Sequence, residues 1–321
     1  LKDKLLFKNS IKYLQSLQQP FYAKYITVTN HFPYTLDDED KDPNFQTTNT
    51  GDSNVDNYFV TAHYLDQSIQ EFFNYLQKTG LDKKSIIMIY GDHYGISNSE
   101  NTSLASVLGK SADDWTDFDN AQLQRVPLMF VIPGTGHGKV YHTYGGEVDV
   151  LPTLLHLLGI SSKRYIQFGT DLFSSKHNQV VAFRNRDFVT PTYTSVGGTI
   201  YNNKTGKEAK LTKKQQEKLK KDQTFVNEEL TLSDSLNEKN LLRFYHPKGF
   251  KNVNPADYNY SNGLKRAQRI EKKKGIKSTS IYSENGDRST VDDYSTDAPE
   301  QSHSSTDSNR IKITNPDANN K

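Results

Sequence analysis

Apolar residues recur at helical spacing in three long stretches of the chain. In residues 5–18 they are Phe7, Ile11, Leu14 and Leu17, and residues 56–80 repeat the pattern up to Gly80, a residue typical of a helix end. A third helix is predicted over residues 212–240. Three short runs rich in β-branched residues, at 25–29, 85–90 and 125–134, predict strands.

The order of these elements predicts an α/β fold. The run at 85–90 is apolar without alternation, which is typical of a parallel strand buried on both faces. Strand, helix and strand in succession predict a right-handed βαβ unit. We therefore expect a mostly parallel sheet with flanking helices over residues 1–175, and a small antiparallel sheet with a packing helix over 176–260. Residues 261–321 are basic, then rich in Ser, Asp and Asn, and predict a disordered tail.

Polar side chains follow two of the predicted strands. Asp92 and His93 come directly after Gly91 at the end of the run 85–90, and His31 follows the earlier run in the same way. Ligands of open α/β sheets bind beyond the carboxyl ends of strands, so these side chains are expected at one edge of the sheet. Carboxylate and imidazole groups bind divalent metals, which makes Asp92 and His93 the predicted metal ligands. The alternative is a plain turn, with His31 and His93 as surface histidines.

Two other polar segments are predicted to have structural roles. A helix is expected over residues 148–158, with Asp149 capping it rather than binding metal, and with Pro152 near its first turn. The acidic run at 37–42 lacks the alternation and the glycine of a calcium loop, and predicts a solvated loop.

Charge and composition exclude several classes of protein. The net charge of +2 gives no global attraction to nucleic acid, and the absence of cysteine excludes disulfides, thiolate metal sites and cysteine nucleophiles. No apolar run reaches the roughly 18 residues of a membrane span. The first ten residues do not form a signal peptide. Basic residues cluster at 213–221, where they predict a solvated helix face, and at 265–274, where they could bind an anionic membrane or polymer.

Five motifs in the first 260 residues resemble the extracellular domain of the lipoteichoic acid synthases, which belong to the alkaline phosphatase/sulfatase superfamily. They are KYITVTNHFPY at 24–34, IYGDHYGIS at 89–97, VDVLPT at 148–153, FGTDLF at 168–173 and HNQVV at 177–181. The resemblance implies the carboxy-terminal portion of that domain, an extracytoplasmic location on the outer face of the cell membrane or in the cell wall, and a sheet whose amino-terminal part lies upstream. It does not extend over the tail.

The resemblance also implies a reaction. In that family a threonine attacks the head group of phosphatidylglycerol, and glycerol phosphate then passes to a polyglycerolphosphate chain on a glycolipid anchor. A Glu, the nucleophilic Thr and an Asp-His pair hold Mn²⁺, for which Mg²⁺ is a possible substitute. Asp92 and His93 match the Asp-His pair, and His31 matches the histidine that contacts the glycerol phosphate. The family's Glu and Thr have no match here, so we expect them upstream and expect this chain alone to be inactive.

Two alternatives to a polyglycerolphosphate synthase stay open from the sequence. The same Asp-His pair would serve a metal-dependent phosphatase or sulfatase of the superfamily, with water as the final acceptor. A non-catalytic fragment that binds wall polymer through its basic residues is the alternative from a different class of protein.

Overall fold

The two helices predicted in the first eighty residues are present and pack against each other. In the computed structural model, which describes residues 2–136, 138–163, 165–246, 248–249 and 254–302, α1 spans Asp3–Leu14 and α2 spans Ser53–Lys78. Asp52 caps α2 by accepting hydrogen bonds from the backbone N–H groups of its first turn. Gly80 follows α2 in the left-handed region, with φ of 69°.

The strand that ends before Asp92 pairs antiparallel. Strand β1 (Ile87–Tyr90) lies beside β2 (Leu128–Val131), with Met88 opposite Phe130. The sequence predicted both strands correctly, but its expectation of parallel pairing is wrong for this pair. The four residues of β1 are half-buried, so the apolar run indicated neither burial on both faces nor a parallel neighbour in this part of the chain.

The run at 25–29 does not form the strand predicted for it. Its backbone N–H groups at Val28 and Thr29 donate to the carboxylate of Asp3 over 2.9 and 3.1 Å, and Thr29 Oγ1 accepts from the backbone N–H of Asp3 over 2.9 Å. These bonds tie the segment to the start of α1. Ile26 and Val28 point to solvent. The predicted βαβ unit is therefore absent, although the segment still leads directly to His31.

The remaining elements up to residue 238 include a short helix at 117–122 that the sequence did not predict. Helix α3 spans Asp117–Gln122, α4 spans Val150–Leu157 and α5 spans Lys213–Glu238. Between α4 and α5 lie β3 (Val181–Ala182), β4 (Phe188–Val189), β5 (Tyr193–Val196) and β6 (Thr199–Asn202). These four strands form an antiparallel meander in sequence order, as the sequence predicted. Phe188 and Val226, which are fully buried, join the meander to α5.

The prediction of a disordered tail is wrong for residues 261–302. Helix α6 spans Tyr260–Lys274, and two short helices follow, α7 (Ile281–Glu284) and α8 (Pro299–Ser302). Ile281 and Tyr294 are buried in the cluster that includes Phe7 and Ile11 of α1. Although this segment has few apolar residues, they are enough to order it, because α1 and α2 already present an apolar face on which they pack. Residues 303–321 lie outside the described part of the chain.

Candidate metal and substrate site

Two glycines let the chain turn sharply after β1. The backbone N–H of Gly91 donates to the carbonyl of Pro127 over 3.1 Å, which continues the contact between β1 and β2. A Cβ atom at Gly91 would lie 2.8 Å from Cβ of Val126, and one at Gly95 would lie 2.4 Å from the ring of Tyr58. The turn 91–95 is therefore held between β2 and α2, and its close contacts leave no room for larger residues.

A second turn, at residues 30–34, is attached to the first. The hydroxyl of Tyr34, a buried residue, donates to the carbonyl of Gly95. On the other side, Thr61 of α2 donates to Oδ1 of Asn30 over 2.8 Å. The two turns thus hold His31 and His93 together, with ring centroids 5.5 Å apart and planes at 89°. His31 and His93 therefore lie close together, as the sequence predicted, although the strand predicted at 25–29 is absent.

Backbone carbonyls determine which ring nitrogen carries the proton in His31 and in His93. Nδ1 of His93 lies 2.7 Å from the carbonyl of Tyr94, and Nδ1 of His31 lies 2.9 Å from the carbonyl of Phe32. Because a carbonyl oxygen only accepts, each Nδ1 must carry the proton. The neutral rings therefore keep a lone pair on Nε2, which is the arrangement found in metal-binding histidines.

The position of Asp92 suits a shared divalent ion. Its Oδ1 lies 3.7 Å from Nε2 of His93, and both side chains are more than half exposed. Two atoms that bind one ion at about 2.1 Å each lie no more than about 4.2 Å apart, so this separation is compatible with a shared ion. A carboxylate oxygen and an imidazole nitrogen also suit Mn²⁺ or Mg²⁺, whereas the absence of cysteine excludes thiolate ligands.

Within the described residues, neither Asp92 nor His93 belongs to a group of three or more acidic or histidine ligands that could hold an ion. The group that meets this condition is Asp37, Glu39 and Asp40. Lys2 pairs with Asp37 over 2.8 Å, with Asp40, and with Glu300 over 2.9 Å. Burial raises the pKa of Asp40, and its pairing with Lys2 opposes this. Lys2 thus offsets part of the negative charge of Asp37 and Asp40, and the loop that the sequence predicted to be solvated is partly buried at Asp40.

A polar network around Asp149 was not foreseen in the sequence. Asp149 is buried, and its two carboxylate oxygens accept from the backbone N–H groups of Gly146 over 2.9 Å and of Thr170 over 2.7 Å. Thr170 Oγ1 lies 2.6 Å from Nδ1 of His177, whose Nε2 lies 2.7 Å from the carbonyl of Tyr144. The motifs FGTDLF and HNQVV therefore meet at Asp149. This carboxylate joins loops. The sequence predicted that it caps α4, but the side chain forms no capping hydrogen bond with that helix.

Comparison with known proteins places these features in a family. Residues 1–160 match the sulfatase family. Lipoteichoic acid synthase 2 of Bacillus subtilis (strain 168) is 53% identical over 261 residues, which are 81% of this chain and 39% of that protein. Lipoteichoic acid synthase of Staphylococcus aureus (strain USA300) is 46% identical over 265 residues, 83% of this chain and 40% of that protein. The chain thus spans about two fifths of the length of these relatives.

Solved structures give the same fold. The lipoteichoic acid synthase LtaP from Listeria monocytogenes superimposes with a TM-score of 0.63 at 24% identity, over 77% of this chain and 61% of that one. A protein of the alkaline phosphatase superfamily from Vibrio parahaemolyticus gives 0.53 at 17% identity, over 77% and 56%. These likenesses confirm the α/β fold of that superfamily. The chain belongs to the sulfatase family and is a homologue of the lipoteichoic acid synthases.

Proposed function

We propose that this chain is part of an enzyme of lipoteichoic acid synthesis, which transfers glycerol phosphate from phosphatidylglycerol to a growing polyglycerolphosphate chain on a glycolipid anchor. The names of its relatives at 46–54% identity support the pathway. The observation that carries the proposal is the geometry at the two turns, where Nε2 of His93 and Oδ1 of Asp92 lie 3.7 Å apart and His31 stands beside them.

The proposed roles follow from the atoms that these residues present. Asp92 and His93 would hold Mn²⁺, or Mg²⁺ in its place. When bound, such an ion lowers the pKa of a coordinated hydroxyl and polarises a phosphoryl oxygen. His31, with Nδ1 donating to the carbonyl of Phe32, presents Nε2 outward and would contact the glycerol phosphate of the substrate. An imidazole in this position donates a hydrogen bond to a phosphate oxygen once Nε2 is protonated.

The proposal includes ligands from outside this sequence. Asp92 and His93 have no third acidic or histidine ligand close enough among the described residues. A nucleophilic threonine and a further carboxylate would come from an upstream segment of a longer protein. This chain alone would then bind Mn²⁺ weakly and turn over no substrate. The proposed location is extracytoplasmic, at the outer face of the cell membrane or in the cell wall; no helix among the described residues is long and apolar enough to cross a membrane.

The test measures release of diacylglycerol from fluorescent phosphatidylglycerol in the presence of Mn²⁺. We expect turnover from the longer protein and none from residues 1–321 alone. In the longer protein, Asp92→Asn should reduce the rate at least about 100-fold, because it removes a charged ligand of the ion. Asp66→Asn, at an exposed position of α2, is the matched control and should leave the rate unchanged.

Three outcomes would contradict the proposal. Turnover by this chain alone would show that its nucleophile lies within residues 1–321. Full activity of Asp92→Asn would remove the proposed metal site. Release of inorganic phosphate from small phosphate esters, without release of diacylglycerol from the lipid, would favour a phosphatase of the same superfamily.

A further inference from the structure

Helix α6 carries a strongly basic outer surface. Six of its fifteen residues are basic, and Glu271 is its one acidic residue. All six basic side chains are exposed: Lys265, Arg266, Arg269, Lys272, Lys273 and Lys274. None of them forms an ion pair with a carboxylate of the residues that the structure describes. We call these six residues the basic face of α6.

The acidic residue of α6 faces inward. Oε1 of Glu271 accepts hydrogen bonds from the hydroxyls of Ser280 and Ser283, and Ser280 is fully buried. Leu264 is half-buried, and Tyr260 meets Tyr13 of α1 with ring centroids 5.6 Å apart. These contacts fix the rotation of the helix, so the basic face points away from the protein.

Apolar side chains border the basic face and are open to solvent. Tyr258 is 62% exposed and Ile270 41%, while Ile276, two residues after the helix, is fully exposed. The Arg266 guanidinium lies 5.4 Å from the centre of the Tyr258 ring. Basic residues combined with exposed aromatic and aliphatic side chains are typical of helices that lie at the interface of an anionic membrane. A soluble anionic polymer would need the charges but would give no favourable contact for Ile276.

We propose that the basic face of α6, together with Tyr258 and Ile276, docks this protein on an anionic phospholipid surface. The positive charges meet the lipid phosphates, and the apolar side chains enter the boundary between the head groups and the acyl chains. Docking does not depend on the proposed chemistry, since it needs neither Mn²⁺ nor turnover.

The basic cluster of α5 supplies a matched comparison. Lys213, Lys214 and Lys220 are also exposed. Their helix, however, carries six acidic residues against five lysines, and Lys218 pairs with Asp222 over 2.6 Å. Because its acidic residues outnumber its lysines, α5 as a whole carries no net positive charge and should contribute little to attraction by an anionic surface.

The test is sedimentation of the chain with vesicles of phosphatidylglycerol and phosphatidylcholine, without metal. Replacement of Arg266, Arg269 and Lys273 by Gln should weaken binding by about 100-fold, because each basic residue near an anionic surface contributes about a factor of five. The same change at Lys213, Lys214 and Lys220 should weaken it by less than about threefold. Pure phosphatidylcholine vesicles and high salt should abolish binding.

A second variant distinguishes the membrane from the polymer. Ile276→Ser keeps every charge and, at a fully exposed position, should leave the thermal unfolding midpoint unchanged. It should still reduce vesicle binding by about tenfold, because an apolar contact is lost. Unchanged vesicle binding by Ile276→Ser, together with competition by soluble polyglycerolphosphate, would overturn the proposal in favour of polymer binding. Equal losses from the α5 and α6 substitutions would overturn it in favour of nonspecific charge attraction.

Discussion

At the scale of single residues, the loops around the candidate site are held by close backbone contacts and buried carboxylates. Gly169 lies against the backbone of Val148, and a Cβ atom there would be 1.9 Å from the Val148 carbonyl oxygen. Asp149, next in sequence, bonds the backbone of two loops at once. This part of the molecule therefore depends on residue size and on one charge more than on apolar packing.

Gly169→Ala should be strongly destabilising. The added methyl meets backbone atoms, which have less freedom to move than side chains, so we expect a loss of about 2 kcal/mol or more in the free energy of unfolding. Gly138→Ala is the matched control, because no heavy atom lies within 4 Å of the added Cβ. It should change stability by less than about 1 kcal/mol. Urea unfolding of both variants measures the difference, and equal effects would refute the close contact.

Asp149→Ala should also be destabilising, through hydrogen bonds rather than size. It leaves the backbone N–H groups of Gly146 and Thr170 without their acceptor in a buried place, at a cost of about 2–4 kcal/mol. Asp66→Ala, at an exposed position of α2, should cost less than about 0.5 kcal/mol. Thermal unfolding compares the two. A small effect at Asp149 would mean that water replaces the carboxylate.

At the scale of elements, the segment after α6 closes the apolar face of α1. Gln15, which is buried after the end of α1, accepts from the backbone N–H of Thr290 over 2.7 Å, and its own carbonyl accepts from the N–H of Tyr282 over 3.1 Å. The hydroxyl of Thr290 lies 2.7 Å from that of Tyr75 in α2. Residues 278–298 thus belong to the core built by the two amino-terminal helices.

Two isoleucines test this packing because they lie five residues apart in opposite environments. Ile281 is 3% exposed within the α1–α2 cluster, whereas Ile276 is fully exposed. Ile281→Ala should lower the free energy of unfolding by about 2–5 kcal/mol, and Ile276→Ala by less than about 0.5 kcal/mol. Chemical denaturation gives both values. Similar small losses would show that the segment detaches from α1 in solution.

The sequence predicted the positions of the helices and strands better than it predicted which segments pack against them. Strands β1 and β2, the meander and the three long helices follow from local patterns. The closeness of His31 to His93 was also expected, but the strand on which that expectation rested is absent. The segment 25–29 has strong strand propensity but bonds to Asp3, and this contact between distant residues has no local signal. The sequence predicted disorder for residues 278–298 for the same reason. Their few apolar residues pack against the apolar face of α1 and α2, which is distant in the sequence.

At the scale of the whole molecule, buried tyrosines make the stability of the folded state depend on pH. Burial raises the pKa of six tyrosines: Tyr25, Tyr34, Tyr64, Tyr75, Tyr193 and Tyr294. Three of them, Tyr25, Tyr75 and Tyr294, belong to the α1–α2 cluster, and Tyr193 belongs to the cluster between the meander and α5. Both clusters should therefore respond to alkaline pH.

The expected result is a loss of stability as pH rises above about 10, because the unfolded chain then releases phenolic protons that the folded chain retains. For Tyr75, burial raises the pKa from 10.0 to about 12. Its contribution is present in full below pH 10 and is lost as pH rises through about 12, at a cost of roughly 3 kcal/mol. Urea unfolding at a series of pH values, with tyrosinate absorbance recorded in parallel, measures this dependence.

Tyr75→Phe separates the titration from the packing. The variant keeps the buried ring and loses the hydrogen bond to Thr290, so at neutral pH it should be less stable by about 1 kcal/mol. Because Phe has no proton to release, its stability should fall less steeply between pH 10 and 12 than that of the parent. The two stability curves should therefore converge as pH rises above 10 and cross before about pH 12. Parallel curves would mean that Tyr75 ionises as readily in the folded chain as in the unfolded one, and that the alkaline loss arises from the other buried tyrosines.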